Sequence, residues 1–411
     1  MKKLCLVTFD IHRSGEPIVS YSAGSLLAFL RSRPEYGNSF EVHHKTFDLN
    51  GRPERNFDWG AELDWSQFDV IAVSCYIWSH KQSQDLMLWI KSQKLRSKII
   101  AGGYQINSKD EGELRKMYPH ADHFILGYAE QALYECMAGS VREPILKREI
   151  NFECLPSPYR TNEISIQSET TKIRLETKRG CPFGCTFCAQ NDLNQKKTKY
   201  HLSEKLVDEL EFLAGKGIQR ISVTDPVFNM GKTYLPYLEA VKDLKMNGVF
   251  NFQVRPELIV DQKDIRFMEL LSDTNSEIEL GLQTFDPVVN NLIHRGNKYR
   301  QIEAALRQLI EYKIDFGISL IYGLPGQTLA SFEKDLEKVQ ALGITKVVAF
   351  PLMVLPGTPM FNQKDKFGIE EGIIEGGFNI PHVVSSSTFS DKDWERMHAL
   401  AALLNPDKRL F

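Results

Sequence analysis

The sequence predicts an α/β protein in two parts: a doubly wound, Rossmann-like parallel sheet, then a partial (β/α)6 TIM-like barrel. Three observations predict it. Short apolar, β-branched runs alternate with stretches of helical apolar spacing, the pattern of parallel sheets covered by helices. The alternation is interrupted once, around Pro156 and Pro158, and then resumes. Residues able to do chemistry sit just beyond the strand-like runs, where both architectures bind their ligands.

Residues 1–145 make the first part. Leu4–Phe9, Asp69–Cys75 and Lys98–Ala101 read as buried strands, and Glu41–Phe47 as a weaker one. Ile18–Leu30 and Gln82–Leu95 have helical spacing. The loops expected to carry ligands are Asp10–Glu16, Tyr76–Lys81, Gly102–Asn107 and Gly127–Gln131. Residues 146–170 read as a linker. In residues 171–355, Lys172–Lys178, Ile218–Thr224, Phe250–Arg255, Glu277–Gln283, Phe316–Tyr322 and Lys346–Pro351 read as the barrel strands. Ser203–Leu213, Tyr299–Glu311 and Ser331–Leu342 are among the helices between them. Residues 356–411 are expected to pack at the barrel mouth, with Asp391–Leu404 helical.

Composition narrows the class. The 411 residues are 42% hydrophobic and 25% charged, ordinary for a globular chain able to bury two cores. A formal net charge of -3 gives no sign of general nucleic-acid affinity, although a local basic patch stays open. No apolar run approaches the roughly 20 residues of a membrane helix. Met1-Lys2-Lys3 before Leu4–Phe9 mimics a signal peptide, but the apolar stretch is short and Asp10 interrupts it. The seven cysteines are an odd number without an export signal. Structural disulfides are therefore not expected, and a reducing cytoplasm is.

The strongest chemical signal is Arg179-Gly180-Cys181-Pro182-Phe183-Gly184-Cys185-Thr186-Phe187-Cys188, a C-x3-C-x2-C loop directly after the first barrel strand. Three thiolates on one tight loop suit three irons of a [4Fe–4S] cluster and leave the fourth iron open. Gly180 and Gly184 would let the backbone wrap the cluster. The competing reading is a zinc site. It needs a fourth ligand, for which His201 is the candidate, at an unusual spacing.

The cysteine loop resembles that of the radical S-adenosylmethionine (SAM) superfamily. Val223-Thr224-Asp225-Pro226, Val254-Arg255-Pro256, Gly281-Leu282-Gln283-Thr284 and Ile321-Tyr322-Gly323-Leu324-Pro325-Gly326 resemble further stretches of it, in the same order. The likeness covers about residues 172–360. It implies that SAM chelates the open iron and is cleaved by one electron to methionine and a 5′-deoxyadenosyl radical, which takes a hydrogen atom from substrate. Phe187, Asp225, Arg255, Gln283 and Arg295 are the expected SAM contacts. An arginine fork suits the SAM carboxylate, and Asp225 or Gln283 could hold ribose hydroxyls. The alternative is that each is a structural hydrogen-bonder. The Gly-Leu-Pro-Gly turn lacks the Lys-Ser/Thr ending of a phosphate loop and reads as backbone shaping.

Asp10-Ile11-His12-Arg13-Ser14-Gly15 is a D-x-H-x-x-G loop after the first strand. It resembles the cobalamin-binding motif of B12-dependent methyltransferases and mutases. Ser74-Cys75-Tyr76 and Ala101-Gly102-Gly103 follow in that family's order, as do Gly127 and Glu130. The resemblance implies His12 as the lower cobalt ligand, with Asp10 accepting its other ring N–H. Gly15, Gly102 and Gly103 would give the nucleotide tail room. Tyr76, Trp78 and His80 occupy the loop near the cobalt's lower face, where Trp78 or His80 could displace His12; Trp78 could instead plug the space between domains. Cys5, Cys75, Cys136 and Cys154 read as buried small apolar residues.

Together these resemblances imply a cobalamin-dependent radical SAM methyltransferase. It would carry a methyl group from methylcobalamin to an unactivated carbon held between the two cofactors. The alternatives are a rearrangement, ring contraction or oxidation with the same cofactors, and a cobalamin-free enzyme that modifies peptides. A tRNA methylthiotransferase would carry a second cysteine triplet and an RNA-binding barrel, neither of which is evident. The expected partners are a small-molecule or peptide substrate and a reductase or flavodoxin-type electron donor.

Overall fold

The structure, a computed structural model, describes residues 1–50, 56–108, 110–139, 141–191, 198–201, 203–259, 262–373 and 380–404. It divides into two compact units, Met1–Thr170 and Thr171–Phe411.

The first unit is built on β1 (Lys2–Asp10), β2 (Phe40–Asp48), β3 (Val70–Ser74), β4 (Lys98–Gly102), β5 (His123–Ile125) and β6 (Ile145–Leu146). All pairings are parallel, in the order β2-β1-β3-β4-β5-β6. Helices α1 (Tyr21–Arg31), α2 (Trp59–Glu62), α3 (His80–Ser92), α4 (Glu111–Met117) and α5 (Glu130–Ala138) accompany it. The six residues Leu4–Phe9 are all buried, as a central strand covered on both faces requires. The strand order reverses between β1 and β3, so the ligand crevice of this unit opens beyond their carboxyl ends.

Three expectations change here. Helix α1 starts at Tyr21 rather than Ile18, because Ile18 lies in the loop after Pro17 and stays 72% exposed. Helix α3 ends at Ser92, where Lys94 turns left-handed at φ +54°. The presumed linker 146–170 belongs to this unit. Leu146, Ile150, Phe152 and Leu155 enter its core, and Glu163 pairs with Arg31 at 2.5 Å. The prolines there mark turns between buried apolar residues, not a free tether.

The second unit carries β7 (Lys172–Leu175), β8 (Lys178–Arg179), β9 (Lys199–Tyr200), β10 (Arg220–Val223), β11 (Val249–Val254), β12 (Ser276–Gln283), β13 (Asp315–Tyr322) and β14 (Val347–Pro351). Six of these form one parallel sheet, β14-β13-β12-β11-β10-β7, in chain order. Helices α6 (Ser203–Leu213), α7 (Tyr234–Asp243), α8 (Gln262–Asp273), α9 (Pro287–Leu292), α10 (Tyr299–Glu311) and α11 (Leu329–Ala341) connect the strands. The sequential order is that of a partial barrel. Strict alternation shows in β11 and β12. Phe250, Phe252 and Val254 are buried, and Phe252 stacks on Phe228 with centroids 4.0 Å apart. Gln253, Glu279 and Gln283 occupy the other face.

The strand expected over Lys172–Lys178 is divided. β7 stops at Leu175, and β8 pairs antiparallel with β9. The cause is local: the Thr177 amide donates to the Asp225 carboxylate at 2.8 Å, which removes it from the ladder. The tail forms the hairpin β15 (Glu370–Ile373) and β16 (Pro381–Ser385), then α12 (Asp391–Leu404). The segment before the hairpin meets the cysteine loop, through Met360 N donating to Thr186 O at 3.0 Å. Helix α12 instead packs Trp394 beside buried Tyr322, with ring centroids 5.9 Å apart. Among the described residues no helix is long and apolar enough to cross a membrane.

Candidate cluster loop and switch-point crevice

The cysteine loop leaves β8 through Gly180, whose φ of +89° favours glycine. It is pinned at Thr186, whose amide donates to Ile293 O at 3.0 Å. Cys188 N donates to Cys185 O at 3.2 Å, tightening the last turn. Cys181 and Cys185 are buried and Cys188 is half-buried. Gly184 differs from expectation. A Cβ there would meet nothing within 4 Å, so the protein itself does not require glycine at that position.

Burial raises the Cys181 and Cys188 thiols, the latter to about 11, and the neighbouring thiols add to the rise. Arg295 opposes it at both sites. Arg295 Nη1 lies 3.6 Å from Cys185 Sγ, and its Nη2 donates to Gly281 O. The Arg255 guanidinium stacks on Phe183 of the same loop, 3.7 Å from the ring centroid. It pairs with Glu257 at 2.5 Å and donates to Arg295 O at 2.7 Å. Arg255 Nη1 and Arg295 Nε are buried without a partner. Buried cationic atoms left over around three thiols fit an anionic metal–thiolate group there.

A single zinc ion fits less well. Among the described residues no three His, Cys, Asp or Glu side chains converge on one ion position. His201 is engaged elsewhere: Nδ1 lies 3.1 Å from Lys205 Nζ, and Nε2 lies 3.8 Å from Glu176. Thiolates that each take one corner of a cluster need not converge on a point.

Asp225 is a correction. Its carboxylate accepts from Thr177 N, Thr177 Oγ1 and Lys178 N, and the residue has no exposed surface. It braces the β7–β8 break, with both carboxylate oxygens engaged by the chain itself. Arg295 is likewise committed to Cys185 and Gly281, not held open for a carboxylate. Gln283 ends β12 at a register shift with φ +70°, a strained conformation for a side-chain-bearing residue at a strand end. Phe187 is half-buried in the loop.

The crevice of the first unit gathers the other set. Asp10 Oδ2 accepts from Thr46 Oγ1 at 3.1 Å, not from the His12 ring as expected. Asp10 ends β1 opposite β2, and its side chain turns toward that neighbour. The His12 carbonyl accepts from Asn50 at 2.5 Å, and its ring has no hydrogen bond among the described residues. Gly15 and Gly127 hold φ of +84° and +79°. Ser74 Oγ is buried without a partner. The Tyr76 and Trp78 rings stack at 4.5 Å, 7° from parallel, and Trp78 Nε1 donates to Phe9 O at 3.2 Å. His80 turns away to Tyr118 Oη at 2.9 Å and is no rival to His12.

The glycine pair separates. At Gly102 an added Cβ meets only Ile125 Cβ, at 3.7 Å, whereas at Gly103 it would lie 2.7 Å from Cys75 O. Gly103 is therefore small for the protein's own backbone, and Gly102 alone leaves open room. Glu130 begins α5 and is buried. None of the seven cysteines forms a disulfide. Cys5 and Cys75 are buried as expected, but Cys136 is half-buried and Cys154 exposed.

Residues 175–339 match the sequence profile of the radical SAM superfamily. That stretch runs from the end of β7 into α11 and includes the cysteine loop. A [4Fe–4S] cluster and SAM are the cofactors that such a domain implies for the second unit. A curated relative, the cobalamin-dependent radical SAM methyltransferase TokK of Streptomyces tokunonensis, is 24% identical over 71% of this chain and 48% of its own length. The chain thus spans about half of that relative. The radical SAM methyltransferase TsrM of Kitasatospora setae, solved with tryptophan substrate and a SAM analogue, superposes with a TM-score of 0.70 at 16% identity. That match covers 98% of this chain and 89% of TsrM. The cobalamin-dependent SAM radical enzyme OxsB, solved with aqua-cobalamin and SAM, gives 0.71 at 17% identity, over 98% and 67%. Both solved enzymes share the fold of this chain over nearly its whole length.

Several residues around the cysteine loop and the neighbouring strand ends escaped sequence reasoning. Phe183 sat inside a motif defined by its cysteines. Asn229 binds the Arg255 backbone twice, at 3.0 Å each, across a sequence gap that no local pattern reveals. Glu279 accepts from Gln253 at 2.6 Å and from Ser319 at 2.7 Å. Period-two alternation would have put these three on one face.

Proposed function

We propose that the chain is a cobalamin-dependent radical SAM methyltransferase that methylates an unactivated carbon of a small-molecule or peptide substrate. One observation carries the reading. The same chain joins the cluster loop to a doubly wound unit whose switch point holds D-x-H-x-x-G and the buried, unpartnered hydroxyl of Ser74. An orphaned donor of that kind fits a polar ligand entering the crevice. The printed functions of TokK and TsrM point the same way.

When bound, the cofactors supply a hydrogen-abstracting 5′-deoxyadenosyl radical and a transferable methyl group. The chain supplies position and dryness. Cys181, Cys185 and Cys188 would hold three cluster irons. Arg255, rigid between Phe183 and Glu257, would offer Nη1 to the SAM carboxylate, and Gln283 would orient SAM by hydrogen bonding. In the crevice the His12 ring would ligate the cobalt. Asp10 shapes its loop through Thr46. Ser74, Gly15, Gly102, Gly127 and Glu130 would border the cobalamin tail, and the Tyr76–Trp78 stack would give it an apolar floor that excludes water. A low-potential reductase or flavodoxin-type protein would deliver the electron, in a reducing cytoplasm that keeps the seven thiols free.

The test is anaerobic reconstitution with iron, sulfide, hydroxocobalamin and SAM. Stoichiometric cobalamin uptake, and transfer of labelled methyl from SAM to a substrate carbon, are expected. Wild-type chain that loads its cluster but takes up no cobalamin would overturn the proposal. Labelled methyl retained in SAM, with substrate rearranged or oxidised, would replace methylation by a non-methylating reaction.

A further inference from the structure

We infer that Arg295 is a redox-positioning residue, which raises the reduction potential of the cluster by a charge-assisted hydrogen bond to the Cys185 thiolate. The geometry starts with the backbone. Arg295 sits between His294 and Gly296, both left-handed at φ +52° and +69°, and its amide donates to Asn290 O at 3.0 Å. This turn after α9 fixes where the side chain leaves. Its Nη2 is tied to Gly281 O, so Nη1 is held 3.6 Å from Cys185 Sγ.

Charge separates the two buried arginines. Arg255 is neutralised by Glu257. Among the described residues Arg295, 9% exposed, has no carboxylate partner, and its Nε has no hydrogen-bond partner. A guanidinium does not deprotonate in proteins. A buried cation without an acid needs another anion, and the Cys185 thiolate is the anionic ligand its fork already touches. A cluster gains one negative charge when reduced. A fixed positive charge beside a ligating sulfur stabilises the reduced form more than the oxidised one and raises the potential. Arg295 is thus not an open clamp for the SAM carboxylate; its charge is spent on the metal centre.

The inference rests on the cluster reading of the loop, not on cobalamin or methyl transfer. The test uses the full chain, reconstituted anaerobically, with iron counted and the midpoint measured by EPR-monitored titration without SAM. Arg295→Gln with wild-type iron content should have a more negative midpoint. At the wild-type midpoint its reduced-to-oxidised ratio should fall about tenfold, which is roughly 59 mV for one electron. Arg295→Lys, which keeps the charge, should recover part of the shift. An unchanged midpoint in loaded Arg295→Gln overturns the inference, and an unchanged midpoint with weakened SAM binding assigns Arg295 to SAM instead. If Arg295→Gln does not load, pulsed EPR of the wild-type chain with isotope-labelled arginine decides. Coupling of an arginine nitrogen to the SAM-free reduced cluster, lost in Arg295→Lys, supports the inference, and no coupling overturns it. Wild-type chain that binds no iron would instead sink the cluster reading itself.

Discussion

Gly103 and Gly102 are adjacent and do different work. At Gly103, φ is +113° and a Cβ would press on Cys75 O at 2.7 Å. Gly103→Ala should therefore lower stability by about 1–3 kcal/mol, read by urea unfolding. Gly102→Ala meets ordinary contact distances. It should leave the unfolding curve in place while weakening hydroxocobalamin uptake, read by equilibrium dialysis; unchanged uptake would remove Gly102 from the cobalamin site. Cys185→Ala should abolish formation of 5′-deoxyadenosine from SAM, because the third iron corner loses its ligand. These residues show what the sequence could and could not reveal. Cys181, Cys185 and Cys188 were legible because their chemistry is local and their spacing rare. Asp225 was not, because a polar residue at a strand end looks the same whether it faces a ligand or, as here, three donors of the break between β7 and β8.

The break between β7 and β8 is the element on which the cluster loop hangs. Arg179 returns to Glu176 with two donors, at 2.8 and 2.7 Å. Burial alone would push the Glu176 carboxyl up, but the Arg179 charge and the His201 and Arg179 hydrogen bonds overcome it and hold it down from 4.5 to about 2. A carboxylate depressed in the fold contributes stability that is complete above about pH 4.5 and is lost as the pH falls toward 2. The contribution is on the order of 3 kcal/mol. Glu176→Gln should flatten the acid limb of the stability–pH curve below pH 4.5 and lower the plateau above it; an acid limb identical to wild type would contradict this. Helix α11 offers a simpler case. Thr328 and Ser331 bond reciprocally at its start, so Thr328→Ala should cost about 1 kcal/mol, measured by thermal unfolding. The barrel strands were legible from alternation. The division of the first was not, because Glu176 and Thr177 carry no turn signal and the ladder is ended by a side chain 48 residues away.

For the whole molecule, the buried cations of the second unit couple metal loading to stability. Without an anion beside them, Arg255 Nη1 and Arg295 Nε are unsatisfied. Loading the cluster should raise the thermal midpoint, and anaerobic chelation should reverse the gain, by the usual linkage of a ligand that binds only the fold. Identical calorimetric midpoints for loaded and apo chain would speak against it. Both sheets were visible in the sequence as repeated strand–helix units. The assignment of residues 146–170 was not, since proline-rich turns read as a tether until Leu146, Ile150, Phe152 and Leu155 are seen in the first core.

The parallel sheet of the second unit ends at β7 on one side and β14 on the other, and among the described residues neither pairs further. A closed eight-stranded ring fixes its own bore, because strand number and stagger set the diameter together. An arc of six has a seam. Its margins can spread or approach without shifting the hydrogen-bond register of any inner pair. Substrate size can thus diverge between descendants of such a chain while β7 and the thiol loop behind it stay in place, so that evolution can refit the doorway and leave the ignition untouched.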